Sequence, residues 1–211
     1  MPTKHEWRKA EKALYLPKTK PELIEVSAQK FITISGAGNP NSQHFANCVS
    51  VLYPISYAIK MNAKKMKQPS IGYFDYTVYP LEGLWDLNEE AKKRYNGTLN
   101  KDDLVFKLMI RQPDFVSQDF FSEMLALTKK KKPHSLLENL KFETITDGKC
   151  IQMMHIGHYD DEPKSFKLME QFALEQGVER LSKAHREIYL SDFRKVAPEK
   201  LKTVLRFQLK N

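Results

Sequence analysis

PLEGLW at residues 80–85 and HREIYL at residues 185–190 are the two segments on which the interpretation of this sequence depends. Each has the apolar and aromatic composition of a β-strand, and each carries one glutamate beside an aromatic residue. Burying an ionised carboxylate without a partner is costly, so Glu82 and Glu187 are unexpected in a sheet interior. Their separation of about one module predicts a duplicated fold in which each half contributes a glutamate and an aromatic ring to one cleft.

The order of predicted elements is the same in both halves of the chain: strand, helix, strand, strand. Gly83 lies inside one of the predicted strands and indicates a β-bulge there. The elements expected in the first half are extended chain at 23–34, a helix at 45–66, and strands at 73–85 and 104–110. Those expected in the second half are a strand at 150–156, a helix at 163–177, and strands at 187–190 and 204–209.

This repeat predicts an α+β fold made of two β-α-β-β modules with antiparallel sheets. The first module would span residues 21–114, a helical connector residues 115–142, and the second module residues 143–211. Together they would form a single domain over residues 1–211, which is long enough to bury a core. We expect the helices on one side of the sheets and a ligand cleft between the modules on the other.

Composition and charge restrict the possible partners. The net charge of +8 favours anionic partners, but basic residues are not interleaved with aromatic ones as in RNA-binding motifs, so nucleic-acid binding is disfavoured. Cys48 and Cys150 lie in apolar stretches without metal-ligand spacing, which is typical of a reducing compartment. No signal peptide or membrane-spanning stretch is present, and we expect a soluble cytoplasmic protein. The sequence gives no indication of oligomeric state.

The strand at residues 185–190 predicts where Glu187 points. Side chains alternate across a strand, so His185, Glu187 and Tyr189 point one way and Ile188 and Leu190 the other. If the apolar pair lies in the core, the polar and aromatic side chains lie either in solvent or in a cleft. The matching Glu82 in the other half favours the cleft, where paired carboxylates are suited to general-base chemistry.

The segment MMHIGHYDDE at residues 153–162 contains two histidines and three acids, which suggests a metal site at first inspection. The ligand spacing matches no established zinc or iron pattern, so we predict no metal. We expect His155 on the strand face, and a turn at Gly157 and Tyr159 that leads into the helix opened by Pro163.

A group of aromatic residues accompanies the two glutamates, and each is either an ordinary core residue or part of a binding site. Rings beside a carboxylate suit flat and often cationic organic molecules. We therefore take as candidate ligand-binding residues the following side chains: Trp85, Tyr159, His155, Tyr79 and Tyr76.

Four segments of the sequence together resemble the GyrI-like small-molecule-binding family, whose members contain tandem SHS2 modules. They are HIGHY at residues 155–159, EIYL at 187–190, PLEGLW at 80–85 and LMIRQPD at 108–114. The resemblance covers the chain from about Pro21 onward. It implies a cleft that binds bulky aromatic or cationic compounds, with Glu187 as the glutamate that contributes to recognition.

The stand-alone length and the PLEGLW segment resemble the bacterial branch that hydrolyses the cyclopropane of DNA-alkylating natural products. This resemblance implies a detoxifying hydrolase without metal or organic cofactor. Glu187 would be the base, Glu82 a second base or water-orienting group, and Tyr189 a hydrogen-bond donor, with Trp85 and Tyr159 clamping the ligand. Two alternatives stay open: a non-catalytic multidrug- or effector-binding protein, and an interaction protein similar to gyrase inhibitors.

Overall fold

The structure is a computed structural model that describes residues 4–66 and 70–210. The strands are β1 (Glu22–Val26), β2 (Gln29–Ala37), β3 (Leu81–Leu87), β4 (Leu104–Gln112), β5 (Lys141–Ile145), β6 (Gly148–Ile156), β7 (His185–Tyr189) and β8 (Lys202–Gln208). The α-helices are α1 (Trp7–Ala10), α2 (Lys12–Tyr15), α3 (Gln43–Lys65), α4 (Glu89–Arg94), α5 (Gln118–Lys131) and α6 (Glu162–Glu175). Short 3-10 helices lie at Lys101–Asp103, Ser135–Asn139, Tyr159–Asp161 and Pro198–Lys200.

The predicted α+β class is confirmed, and so is the repeated order of elements. The first half contains β2-α3-β3-β4 and the second half β6-α6-β7-β8, and one further strand precedes each set. All pairings recorded between the named strands are antiparallel, as expected. Within residues 4–66 and 70–210, none of the helices has both the length and the apolarity needed to cross a bilayer.

Two local predictions differ from the structure, and one strand was not predicted. Residues 73–79 do not form a strand; Tyr76 makes only an isolated bridge to His5, and the rings of this segment pack against one another instead. The register of β3 on β7 runs without interruption through Gly83, so this pairing contains no bulge there. The strand β5 was not predicted, because KFETI is short and polar and has little apolar pattern.

The chain forms two compact units, each built from several segments. The first comprises the described residues of Met1–Glu6, Gln29–Tyr79 and Leu87–Ile145. Its sheet has β2 between β4 and β5, and α3 packs on β2, β4 and α5. The Ser42 side chain caps α3 by accepting a hydrogen bond from the amide of Phe45 at 3.2 Å. The module boundaries expected from the sequence follow the chain and stay a prediction.

The second unit comprises the described residues of Trp7–Ala28, Pro80–Asp86 and Thr146–Asn211. Its strands lie in the order β1-β6-β8-β7-β3. Helix α6 packs on β6. The apolar cluster between the helix and the sheet includes Met153, Met169, Leu205 and Phe207, all nearly excluded from solvent. This unit contains both glutamates singled out from the sequence.

The strand register defines which side chains share each face of this second sheet. Gly83, Glu187, Leu205 and Met153 are successive cross-strand partners, so they lie in one row on one face. Leu205 and Met153 pack with Met169 of α6, and Glu187 therefore lies on the face that carries the helix. This is a correction: the sequence interpretation placed the helices and the functional face on opposite sides of the sheet.

Candidate functional site

Strand β7 presents His185, Glu187 and Tyr189 on one face, as strand alternation predicts. The Tyr189 hydroxyl donates to Oε2 of Glu187 at 2.8 Å, and Nε2 of His185 lies 3.1 Å from Oε1. Glu187 is 8% exposed, so water contributes little to holding it. Both carboxylate oxygens are fixed by neighbouring side chains on the same strand.

Trp85 on β3 extends this hydrogen-bonded chain. Its indole Nε1 donates to the Tyr189 hydroxyl at 2.7 Å, so the order is indole, phenol, carboxylate. Gly83 makes this arrangement possible: a Cβ there would lie 2.7 Å from the indole nitrogen and 3.1 Å from the phenol oxygen. The glycine found in PLEGLW therefore provides space for the indole rather than a bulge.

The turn before α6 and the start of the helix pack against Tyr189 and His185 of β7. The ring of Tyr159 meets that of Tyr189 edge-on at 6.1 Å between centroids, and the ring of Phe166 meets that of His185 at 4.6 Å. Glu162, in the first turn of α6, adds a second carboxyl group to this cluster, and the charge of Glu187 acts on it. Glu162 is 6% exposed, and its Oε1 has no hydrogen-bond partner among the described residues.

Burial and negative charge together perturb the acids of this cluster. Burial first, and then the charge of Glu187, raises the pKa of Glu162 well above its ordinary value. The same two causes raise the pKa of the Tyr189 phenol, and they raise the pKa of Tyr159 to about 12. The cluster is therefore an anionic site in which protons are held tightly, and it suits either a cationic ligand or proton transfer.

Glu82 lies elsewhere. It pairs with Ile188 across the strands and so points to the opposite face of the sheet from Glu187. Its Oε2 accepts from Arg186 at 2.7 Å, and a second nitrogen of this guanidinium donates to Asp147 at the same distance. The structure thus does not bring the two predicted carboxylates together, because a buried guanidinium already balances Glu82.

His155 shares the face of Tyr189, since both pair with Thr203 of β8. Its Nδ1 lies 2.9 Å from the hydroxyl of Ser165, and its Nε2 lies 3.0 Å from the carbonyl of His158. The two ring nitrogens thus contact the first turn of α6 and the turn that precedes it. This turn lies where the sequence predicts it. Across residues 4–66 and 70–210, no group of three or more ligating side chains is arranged to hold a metal ion.

The remaining two aromatic candidates belong to the first unit. Tyr76 and Tyr79 are buried, with ring centroids 6.3 Å apart, and the guanidinium of Arg111 lies 4.8 Å from the Tyr79 centroid. Burial raises the pKa of Tyr76 above its ordinary range. Their contribution to ligand binding stays a prediction.

Glu162 is the residue of the cluster to which the sequence interpretation gave no role. The available signal was an acid directly before Pro163 at the start of a helix, a position where helix geometry and the dipole favour a carboxylate. The sequence interpretation included this acid only in a rejected metal motif.

The fold and this acidic, aromatic cluster define a class of small-molecule-binding α+β domains. The GyrI-like small molecule binding domain matches residues 19–210. The chain therefore belongs to the GyrI-like family, as the sequence motifs suggested.

Solved structures from Listeria innocua are similar over the whole chain. One, described as a hydrolase, is 34% identical, with a TM-score of 0.86 and coverage of 98% of this chain and 100% of the other. Another, described as an uncharacterized conserved protein, is 36% identical, with a TM-score of 0.88 and the same coverage. Comparison with curated proteins gives no match.

Proposed function

We propose that this protein is a cofactor-independent hydrolase that opens the cyclopropane of electrophilic polycyclic compounds with a water activated by Glu187. The observation that carries the proposal is the carboxylate of Glu187, which is buried and held on both oxygens beside aromatic rings. The likeness to a Listeria hydrolase at 34% identity over the full length supports the reaction class.

The chemistry requires one base and one proton source. In a cyclopropane fused to a dienone, water attacks a ring carbon, and the carbon–carbon bond that breaks delivers its electron pair to the dienone. The dienone becomes an aromatic phenolate, Glu187 takes the proton of the attacking water, and the phenolate oxygen takes a proton from an acid. A positioned base of this kind contributes about 10²–10⁴ in rate, and the fixed geometry contributes more by orienting the reactants.

The neighbouring residues then have defined roles. The Tyr189 hydroxyl donates its hydrogen bond to Glu187, so it orients the base, and the Trp85 indole in turn orients Tyr189. The ring of Tyr159 offers an apolar surface for a flat ligand beside the carboxylate. We do not assign Glu82 to this machinery, because Arg186 holds it on the other face.

The substrate class follows from the same features. A buried anionic group among aromatic rings favours bulky aromatic compounds, including cationic ones. We propose that the protein removes such genotoxic compounds in the bacterial cytoplasm, where its two buried free cysteines are stable.

A non-catalytic binding protein is the second candidate. It is favoured by the two hydrogen bonds to Glu187, which suit a fixed anion for recognition as well as a base. This candidate predicts saturable binding of aromatic cations without product.

One assay distinguishes the hydrolase from the non-catalytic binding protein. The purified protein is mixed with a cyclopropane-fused dienone, and loss of the dienone absorbance is followed for the wild type, Glu187→Gln and Glu175→Gln. Glu175 is exposed on α6 and serves as the matched control. We expect wild-type turnover, an unchanged control, and a loss of about 10²-fold or more in Glu187→Gln. Unchanged turnover in Glu187→Gln would remove the base assignment, and saturable binding without any turnover would favour the binding protein.

A further inference from the structure

The carboxyl of Glu162 is a buried acid next to the proposed base. Glu162 belongs to the first turn of α6, is 6% exposed, and keeps Oε1 without a hydrogen-bond partner among the described residues. A buried polar atom left without a partner is costly, and such atoms are frequent where a ligand or water completes the site. The contacts of Tyr159 and Phe166 with β7 hold this turn against Glu187.

The surroundings of Glu162 place a proton on its carboxyl group. Its side chain is buried, and Oε1 has no hydrogen-bond partner among the described residues. An ionised carboxylate buried in this way without a counter-charge is very costly, so the protonated form is favoured. Burial and the charge of Glu187 raise the pKa of Glu162 in the same direction.

We propose that Glu162 is the proton donor of the reaction, and that the Glu162–Glu187 pair returns to its starting state by passing one proton between its members. This inference rests on the proposed hydrolase function and adds a second catalytic residue to it. Glu187 receives the proton of the attacking water, while Glu162 gives its proton to the oxygen of the phenolate that ring opening creates in the same molecule. Transfer of the proton from Glu187 to Glu162 then restores both groups, so water is consumed and the enzyme is unchanged.

The surroundings of the pair are consistent with this exchange. The charged groups that act on Glu162 are Glu187 and Asp160, and both are acidic. On the β7 side, Tyr189 donates to Glu187 and His185 contacts it, and the ring of Tyr159 packs on that of Tyr189. Two ionised carboxylates in one buried cluster repel each other, so a pair that holds one proton is favoured over a pair that holds none.

Glu162→Gln tests the donor step. Glutamine has the shape of a protonated glutamate and can donate to Glu187, but its amide cannot give up a proton to a phenolate. We expect turnover to fall about 10²-fold or more while the affinity for the substrate is retained. Glu175→Gln, the same change at an exposed position of α6, is expected to behave as wild type. Turnover of Glu162→Gln at the wild-type rate would overturn the proposal and leave the hydrolase function intact.

Infrared difference spectroscopy tests the protonation of Glu162 without turnover. At neutral pH the wild type is expected to show the carbonyl band of a protonated carboxyl group, and Glu162→Gln is expected to lack it. Absence of this band from the wild type would overturn the proposal. A wild type that shows the band but never opens the substrate would refute the proposed function and the donor step together.

Discussion

Replacing Gly83 with alanine tests whether the indole, phenol and carboxylate form one connected unit. The new Cβ would lie 2.7 Å from Nε1 of Trp85 and 3.1 Å from the hydroxyl of Tyr189, so the indole has to move. The 2.7 Å hydrogen bond between Trp85 and Tyr189 is then lost. Gly83 is not among the glycines with positive φ, so alanine brings no backbone strain that would confuse the result.

The magnitude follows from three terms. Leaving the buried indole N–H without an acceptor costs about 1–3 kcal/mol, and forcing a methyl group into a packed site costs about 1–3 kcal/mol. Alanine in a strand recovers about 0.5–1 kcal/mol relative to glycine. We expect the free energy of unfolding in urea to fall by about 3 kcal/mol in Gly83→Ala, within a range of about 1–5.5 kcal/mol.

A double-mutant cycle with Trp85→Phe identifies the cause. Phenylalanine has no indole nitrogen, so the 2.7 Å contact disappears, and the remaining contacts are the one of 3.1 Å with Tyr189 and the ordinary one of 3.4 Å with the ring at position 85. In this background Gly83→Ala should cost less than about 1 kcal/mol, which gives a coupling energy within the usual range for residues in contact. An equal cost in both backgrounds would refute the idea that Gly83 makes room for the indole.

Three further predictions concern charges and protons in the second unit. Arg186→Met leaves Glu82 buried without its counter-charge and leaves Asp147 with only Arg206, at 3.6 Å. We therefore expect the free energy of unfolding in urea to fall by about 3–5 kcal/mol, and a fall below about 1 kcal/mol would contradict the buried pairing. Burial and the charge of Glu187 raise the pKa of Tyr189. Subtracting the alkaline absorbance titration of Tyr189→Phe from that of the wild type should therefore give a curve with its midpoint well above about 10. A midpoint near this ordinary phenol value would contradict the burial of Tyr189 beside Glu187. The pKa of Glu162 is raised in the folded protein, so between the ordinary carboxyl pKa and this raised pKa the folded state binds more protons than the unfolded state. The free energy of unfolding of the wild type should therefore fall by about 1.4 kcal/mol per pH unit as the pH rises between these two values. Glu162→Gln should lack this component. Parallel pH dependences for the two proteins would refute it.

Alternation along β7 was predictable from the sequence, because it depends only on the two-residue period of a strand. It correctly put His185, Glu187 and Tyr189 on one side. Register between strands depends on long-range packing, which a single strand does not encode. Without it, Glu82 was placed beside Glu187, whereas it is paired with Ile188 and balanced by Arg186.

The sequence pattern gave a wrong prediction at residues 73–79 and no prediction of a role for Glu162. The aromatic stretch at residues 73–79 has strand propensity, yet its rings are used in ring-to-ring packing and it forms no strand. Propensity is outweighed there by tertiary contacts. Glu162 carried only a weak local signal, because its significance comes from Glu187, which lies on another element and 25 positions later in the sequence.

The central claim is that Glu187 activates a water rather than attacking the substrate itself. Single-turnover hydrolysis in ¹⁸O-labelled water, with enzyme in excess over a cyclopropane-fused dienone, tests it directly. A base mechanism predicts that every product molecule carries ¹⁸O on the opened carbon and that the protein gains none. Unlabelled product, with ¹⁸O later found in the carboxylate of Glu187, would reveal a covalent ester and contradict this account.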